Sequence, residues 1–357
     1  MNRTAKLQSA LSAWGTDCAI ISSELNQRYL SGLSFSDGYI LITQNDGYLI
    51  TDSRYIEIAK RTVKHLNVIL ADAPMVKVLG RLIKEKHLKI IGVEENELSL
   101  SVFEKFKAEF EGCEVISGVS EIMKNLRAKK TTDEIALIEK AQDITDAAFS
   151  HILEFITPNM TEKDVALELE FFMRKNGAEG LAFETIAVSG ASSSLPHGVP
   201  SDERLKKGFL TMDFGAKYEG YCSDMTRTVC IGKVDEEMKQ VYNTVLSAQI
   251  HALENIRVGM PCRDADALAR DIIRDAGYGA NFGHSLGHGV GMYIHEFPRL
   301  ASSADKDSRL EAGHVVTVEP GIYLEGKFGC RIEDMIAIKD DGSVHNFTKS
   351  RKELIEI

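Results

Sequence analysis

Neither a CxxC pair nor a long apolar run occurs in this chain. The six cysteines, Cys18, Cys113, Cys222, Cys230, Cys262 and Cys330, are scattered along the chain. Their scatter argues against a disulfide framework and fits a reducing compartment. No stretch approaches the roughly 20 apolar residues that a membrane-spanning helix needs. The opening MNRTAKLQSALSAWGTDCAII lacks an uninterrupted apolar core backed by a small-residue cleavage pattern, so no secretory signal is expected. Positive charge is also short: 42 Lys and Arg against 53 Asp and Glu leave a formal net charge of -11. That sign repels phosphate backbones and anionic lipid, so neither nucleic acid nor a membrane is an expected partner. A cytoplasmic location is expected. Carboxylates that hold cations would account for part of the acidic excess.

What is present is an ordinary globular balance, 44% hydrophobic and 27% charged over 357 residues. That length favours two domains. In the first part, CAII at 18–21, YILIT at 39–43 and YLITD at 48–52 predict strands, the last two joined through Asn45-Asp46-Gly47, a hairpin signal. VILAD at 68–72, a helix near 75–86, IIGVE at 90–94, a helix near 99–110 and EVIS at 114–117 follow. They predict an α/β domain that closes near residue 120. RAKKTTDE at 127–134 predicts a charged linker leading into a capped helix. The expected domains are 1–125 and 126–357.

Helical periodicity then runs from about Asp133 to Ile156, and Thr161 with Asp164 opens a second helix that stops at Gly177. ITPNMTEKD at 156–164 resembles IRVGMPCRD at 256–264, with Ile, Met and Asp recurring 100 residues apart. Arg174 and Gly177 match Arg274 and Gly277 in the same way. So short a window can match by chance, but each copy follows a long helix and precedes a Gly-rich segment containing histidine. The layout predicts a duplicated fold with a pseudo-two-fold axis.

Two stretches place acids where strands disfavour them. TMDFGAKYEGYCSDMTRT at 211–228 predicts two strands about Lys217-Tyr218-Glu219-Gly220. Pairing Ala216 with Tyr221 puts Asp213 opposite Asp224. Folding VEPGIYLEGKFGCRIED about Gly326 pairs Tyr323 with Gly329 and sets Glu319 opposite Glu333. Opposed carboxylates repel, and Asp213 and Glu319 each follow an apolar run that belongs in a buried sheet. A buried unpaired carboxylate costs at least several kcal/mol. Any one of these acids alone would pass as a solvated strand face. For four together, Arg227 and Arg331 could supply some positive charge, and a pair of metal ions suits them better.

GHSLGHGVGMYIHE at 283–296 holds His284, His288 and His295. His284 and His288 have the spacing of two zinc ligands on a helix. Gly287, Gly289 and Gly291 would each cost about 1 kcal/mol in a helix interior, which predicts an extended or looped segment. Close backbone approach explains the glycines. One imidazole can then join the carboxylates while the others face substrate.

At these residues the chain resembles the pita-bread metallopeptidases of the aminopeptidase P and prolidase branch. YLSGLSFSDGYILIT and LITDSRY resemble the N-terminal domain of that branch. SLPHGVPSD, MDFGAKYEGYCSDMTRT, GHSLGHGVGMYIHE, VEPGIY and RIED resemble its catalytic blocks, in order. The resemblance implies an α/β N-terminal domain and an α+β pita-bread (creatinase/aminopeptidase) catalytic domain with an internal pseudo-two-fold repeat. It also implies two divalent metal ions, Mn²⁺ by family habit, with Co²⁺ or Zn²⁺ equally compatible with one nitrogen among oxygens. Asp213 would chelate one ion, Asp224 and Glu333 would bridge, and His288 and Glu319 would complete the shell. A hydroxide generated between the ions would be the nucleophile, and Glu319 would shuttle its proton. His197, His295 and His284 would face substrate, and Arg331 would bond a bridging carboxylate.

The implied reaction is cleavage between an N-terminal residue and a following proline, by a homodimer acting on Xaa-Pro peptides. The block around DGYILIT and TDSRY tips the expectation towards an Xaa-Pro aminopeptidase, with a prolidase restricted to dipeptides as the alternative. A catalytically inert binding protein on the same fold is the more distant one, because such proteins usually lose ligands. Methionine aminopeptidase lacks a comparable N-terminal domain and closes on a different motif than RIED. Creatinase works without metal, and its branch has lost ligands that this chain keeps.

Overall fold

The computed structural model describes residues 3–157 and 159–357. Met1, Asn2 and Pro158, the last within the first copy of the repeat, lie outside them. Two compact units divide the chain between Arg127 and Ala128.

The first unit is built on a six-stranded sheet in the order Asn67–Leu70, Gly47–Thr51, Gly38–Thr43, Cys18–Ile21, Ile90–Val93, Glu114–Ser117. Every strand expected from the sequence is present. The hairpin pairs Ile42 with Gly47. Helices Met75–Glu85 and Leu100–Glu109 pack their apolar stripes, among them Leu79 and Phe106, on Ile20, Leu41 and Ile50. The expected linker is largely helix: Val119–Ala128 runs into it, with Val119 and Met123 buried along one face. Only residues 129–131 remain between it and the next helix. The single tryptophan, Trp14, lies against Gly92 and Gly118, where a Cβ would stand 3.1 Å and 2.5 Å from its ring.

The second unit shows the repeat. Thr132–Phe155 and Glu162–Lys175 each begin with a capping box, Thr131 with Glu134 and Thr161 with Asp164. Their counterparts are Glu236–Asn255 and Cys262–Ile273. Ile156 and Ile256 end the long helices with nearly the same backbone angles. Met160 O accepts Leu205 N at 2.8 Å, and Met260 O accepts Leu310 N at 2.9 Å. Thr161 bridges Arg204 as Pro261 bridges Arg309. Gly177 and Gly277 both take positive φ, 107° and 91°. Each half has its own core: Phe149, Leu169 and Met212 in one, Val245, Ala269 and Val316 in the other. None of the described helices is long and apolar enough to cross a membrane.

Candidate active site

The strand Gly208–Phe214 runs antiparallel to Met225–Ile231, and Ala216–Tyr218 to Tyr221–Cys222. Tyr218 pairs with Tyr221, so the loop is only Glu219-Gly220, with φ of 45° and 91°. Two residues at positive φ close a hairpin whose twist matches its strands. The expected register is thereby corrected: Asp213 lies opposite Thr226, not Asp224. Asp224 sits where the ladder breaks, at Ser223-Asp224 across from Gly215. The Ser223 carbonyl occupies the space a Cβ on Gly215 would need. Asp224 lies two residues before Thr226, so alternation turns it to the face that Asp213 occupies, and its carboxyl group is buried beside those of the second hairpin.

That second hairpin has the expected register. Tyr323 pairs with Gly329 and Val318 with Asp334, so Glu319 and Glu333 face each other across a break in the ladder. Thr226 Oγ1 donates to Glu333 Oε2 at 2.8 Å, and Thr317 Oγ1 to Glu319 Oε1 at 3.1 Å. Arg331, 3% exposed, donates through Nη2 to Asp213 Oδ2 at 2.6 Å, through Nε to Thr226 Oγ1 at 2.9 Å and through Nη1 to Tyr323 Oη at 2.7 Å. Arg227 turns away from this pocket. It pairs with Asp334 at 2.8 Å and donates to the Glu333 carbonyl at 2.6 Å, so of the two arginines expected here it is Arg331 that hydrogen-bonds an acid of the pocket.

The glycine-rich segment is extended, as expected: Gly287–Gly289 is a strand between Glu296–Leu300 and Val315–Val318. A Cβ on Gly287 would meet the Thr317 carbonyl, and one on Gly289 the Phe297 carbonyl. The His288 Nδ1 lies 3.1 Å from Gly289 O, and Nε2 points at Glu319 Oε1 (3.4 Å) and Asp224 Oδ2 (3.6 Å). Burial, then His295, pushes its pKa down to about 4. The ring is therefore neutral near pH 7, with Nδ1–H on the carbonyl and the Nε2 lone pair facing the acids. The His295 ring meets that of His288 edge-on at 4.4 Å. His284 Nε2 lies 3.0 Å from Tyr323 Oη, and burial lowers its pKa to about 4 as well. His197 lies close enough for its charge to depress both His284 and His295. Its neighbour Pro196 accepts from Arg331 at 3.3 Å.

The ligand atoms of Asp224, His288 and Glu333 all lie within 4.8 Å of one another. Burial holds the carboxyls of Asp224 and Glu333 well above the usual range, and their acidic neighbours add to it. Burial also pushes Glu319 up to about 8. Asp213 Oδ1 is buried with no hydrogen-bond partner among the described residues. A crowded acid pocket with an orphaned oxygen and an imidazole lone pair is what divalent cations would satisfy. The donor set fits them.

Residues 136–340 match the model of metallopeptidase family M24, and residues 3–129 match the creatinase/prolidase N-terminal domain. The chain belongs to metallopeptidase family M24. It is 39% identical over 360 residues to the Xaa-Pro dipeptidase of Pyrococcus furiosus, covering 99% of both chains. The structure of an Xaa-Pro dipeptidase from Bacillus anthracis superposes with a TM-score of 0.96 at 41% identity over 99% of both chains. That of an X-Pro aminopeptidase from Thermotoga maritima gives 0.90 at 40%, over 96% of this chain and 98% of that one.

Thr226, Tyr323 and Arg299 are residues of this metallopeptidase pocket that the sequence alone did not mark. Tyr323 joins His284 to Arg331. It lies two residues after Gly321, where a Cβ would stand 2.6 Å from its hydroxyl. Arg299 is the direct cross-strand partner of His288 and so shares its face of the sheet. It is exposed, and its charge reaches His288, His295 and Glu319. Four residues after His295, it could have been found only with the strand pairing in hand.

Proposed function

We propose that this metallopeptidase hydrolyses the bond between an N-terminal residue and a following proline, with free Xaa-Pro dipeptides as preferred substrates. The observation that carries the dipeptide preference is Arg299, an exposed guanidinium across from His288. A cation there offers a bidentate partner for the carboxylate that a dipeptide presents directly on its proline. The substrate named for the Pyrococcus and Bacillus anthracis relatives supports the same reading.

Asp213, Asp224, His288, Glu319 and Glu333 are proposed to hold two divalent ions, Mn²⁺ by preference. Bound there, the ions would acidify a water and polarise the scissile carbonyl. Glu319, steadied by Thr317, accepts a proton and returns it to the leaving nitrogen. His295 and His197 would donate to the carbonyl oxygen as charge develops on it. His284, held by Tyr323, would line the pocket beside them. Arg331 orients Asp213 and, through Thr226, Glu333. A homodimer is proposed on the family resemblance, and a reducing, cytoplasmic setting on the free cysteines.

A second reading, an aminopeptidase that takes longer peptides, is favoured by the activity named for the Thermotoga relative. Metal-stripped protein reloaded with Mn²⁺ and offered Ala-Pro, Ala-Pro-Ala and Ala-Ala-Ala distinguishes the two. Cleavage of Ala-Pro alone is the expected result. Release of alanine from Ala-Pro-Ala at a comparable rate would move the assignment to the second reading. Turnover of Ala-Ala-Ala would remove proline selectivity altogether.

A further inference from the structure

Lys130 and Glu296 form an ion pair, Nζ 3.2 Å from Oε2, with side chains only 1% and 3% exposed. Neither has a place in the chemistry above. A pair so deeply buried is a weak source of stability, because desolvation offsets much of its attraction. Its geometry is more informative. Glu296 follows His295 directly, and its Oε1 accepts the Tyr293 amide at 3.1 Å. Gly291 lies at the other end of the same loop. Its carbonyl accepts Cys222 N at 2.8 Å, and its amide donates to Tyr293 O at 3.2 Å. A Cβ on Gly291 would stand 2.5 Å from Glu296 Oε2 and 2.9 Å from Lys130 Cε, so this glycine is what admits the pair. Lys130 donates its own backbone N–H to Gly313 O at 2.8 Å. Gly313 lies just before Val315–Val318, the strand that delivers Glu319. The pair therefore ties the loop between His288 and His295 to the segment that presents Glu319.

We propose that Lys130 and Glu296 are positioning residues that hold the His295 imidazole over the acid pocket. The idea rests on the role proposed for His295. Its test compares the Mn²⁺-loaded full chain, Glu296→Gln, His295→Ala and the double variant on Ala-Pro, with metal content measured in each. Glu296→Gln is expected to keep wild-type metal and KM while kcat falls roughly 10- to 100-fold. In the His295→Ala background the same change is expected to cost nothing further. An equal loss in both backgrounds, or loss of metal from Glu296→Gln, overturns the proposal. Undiminished kcat in His295→Ala removes the role of His295 itself, and the positioning role with it, in a single variant.

The ring proton resonances of His295 in Zn²⁺-loaded protein need no substrate. Glu296→Gln should shift them and leave those of His284 in place; unmoved His295 resonances overturn the proposal whatever the enzyme cleaves. Should Glu296→Gln not fold, Lys130→Met should lose rate and Lys130→Arg restore most of it. Failure of Lys130→Arg to restore it would show that charge at this position is not what acts.

Discussion

The two hairpins that carry the carboxylates solve one problem in different ways. Each is a long antiparallel ladder whose hydrogen bonding is interrupted once, beside an acid that alternation turns into the pocket. In the first, the break depends on Gly215, into whose missing side chain the Ser223 carbonyl folds, and the loop closes in two residues, Glu219 and Gly220. In the second, the break falls at Glu319-Pro320 and Ile332-Glu333, and three residues, 325–327, make the loop. The first ladder delivers its two acids two rungs out of register with each other; the second delivers its pair face to face. Acids that gather in one pocket thus do not require equivalent loops.

The largest test of that comparison removes one acid from each break. Asp224→Asn and Glu333→Gln are both expected to lower kcat roughly a thousandfold or more and to lose bound metal together, since each is proposed to serve both ions. Metal analysis beside kinetics checks it. Full metal and turnover in either variant would mean that its ladder contributes no ligand.

A smaller effect comes from the glycines. Gly215→Ala should cost about 1–3 kcal/mol in denaturant unfolding, because a backbone carbonyl cannot yield. Gly326→Ala, at φ 70° with open space around it, should cost only about 1 kcal/mol. Equal costs would erase the distinction between a close approach and a turn.

The smallest effect is on pH. Asp224, Glu319 and Glu333 have raised pKa values in the folded metal-free protein, so the folded state binds more protons than the unfolded chain above about pH 4. Their contribution to stability falls as pH rises, through about 8 for Glu319. His284, His288 and His314 have folded values of about 4, so their contribution rises with pH up to the ordinary histidine value near 6.5 and then stops. The two opposing trends leave only the carboxylates acting between about pH 6.5 and 8. Metal-free protein should therefore lose a few degrees of Tm across that window, and Mn²⁺ should flatten the slope. A Tm that rises there without metal would contradict the protonated pocket.

The two hairpins also mark how far residues alone could go. Apolar runs bounded by turn residues located every strand expected in the first unit, and recurrence 100 residues apart exposed the duplication. Glu319 opposite Glu333 followed from centring one loop on Gly326. The same procedure misplaced Asp213 by two rungs, because Lys217-Tyr218-Glu219-Gly220 can close in four residues or in two, and only the positive φ of Glu219 decides. Arg299, Tyr323 and Thr226 stayed hidden for a related reason. Each enters the pocket through cross-strand neighbours, and pairing partners distant in sequence leave no local pattern.

Trp14 has a practical consequence. As the only tryptophan, set in the first unit against Gly92 and Gly118, it makes selectively excited fluorescence an optical probe of that unit alone. Release of bound Mn²⁺ would report on the second. Followed side by side in one titration, the two signals would give each unit its own melting curve, with no label and no truncation.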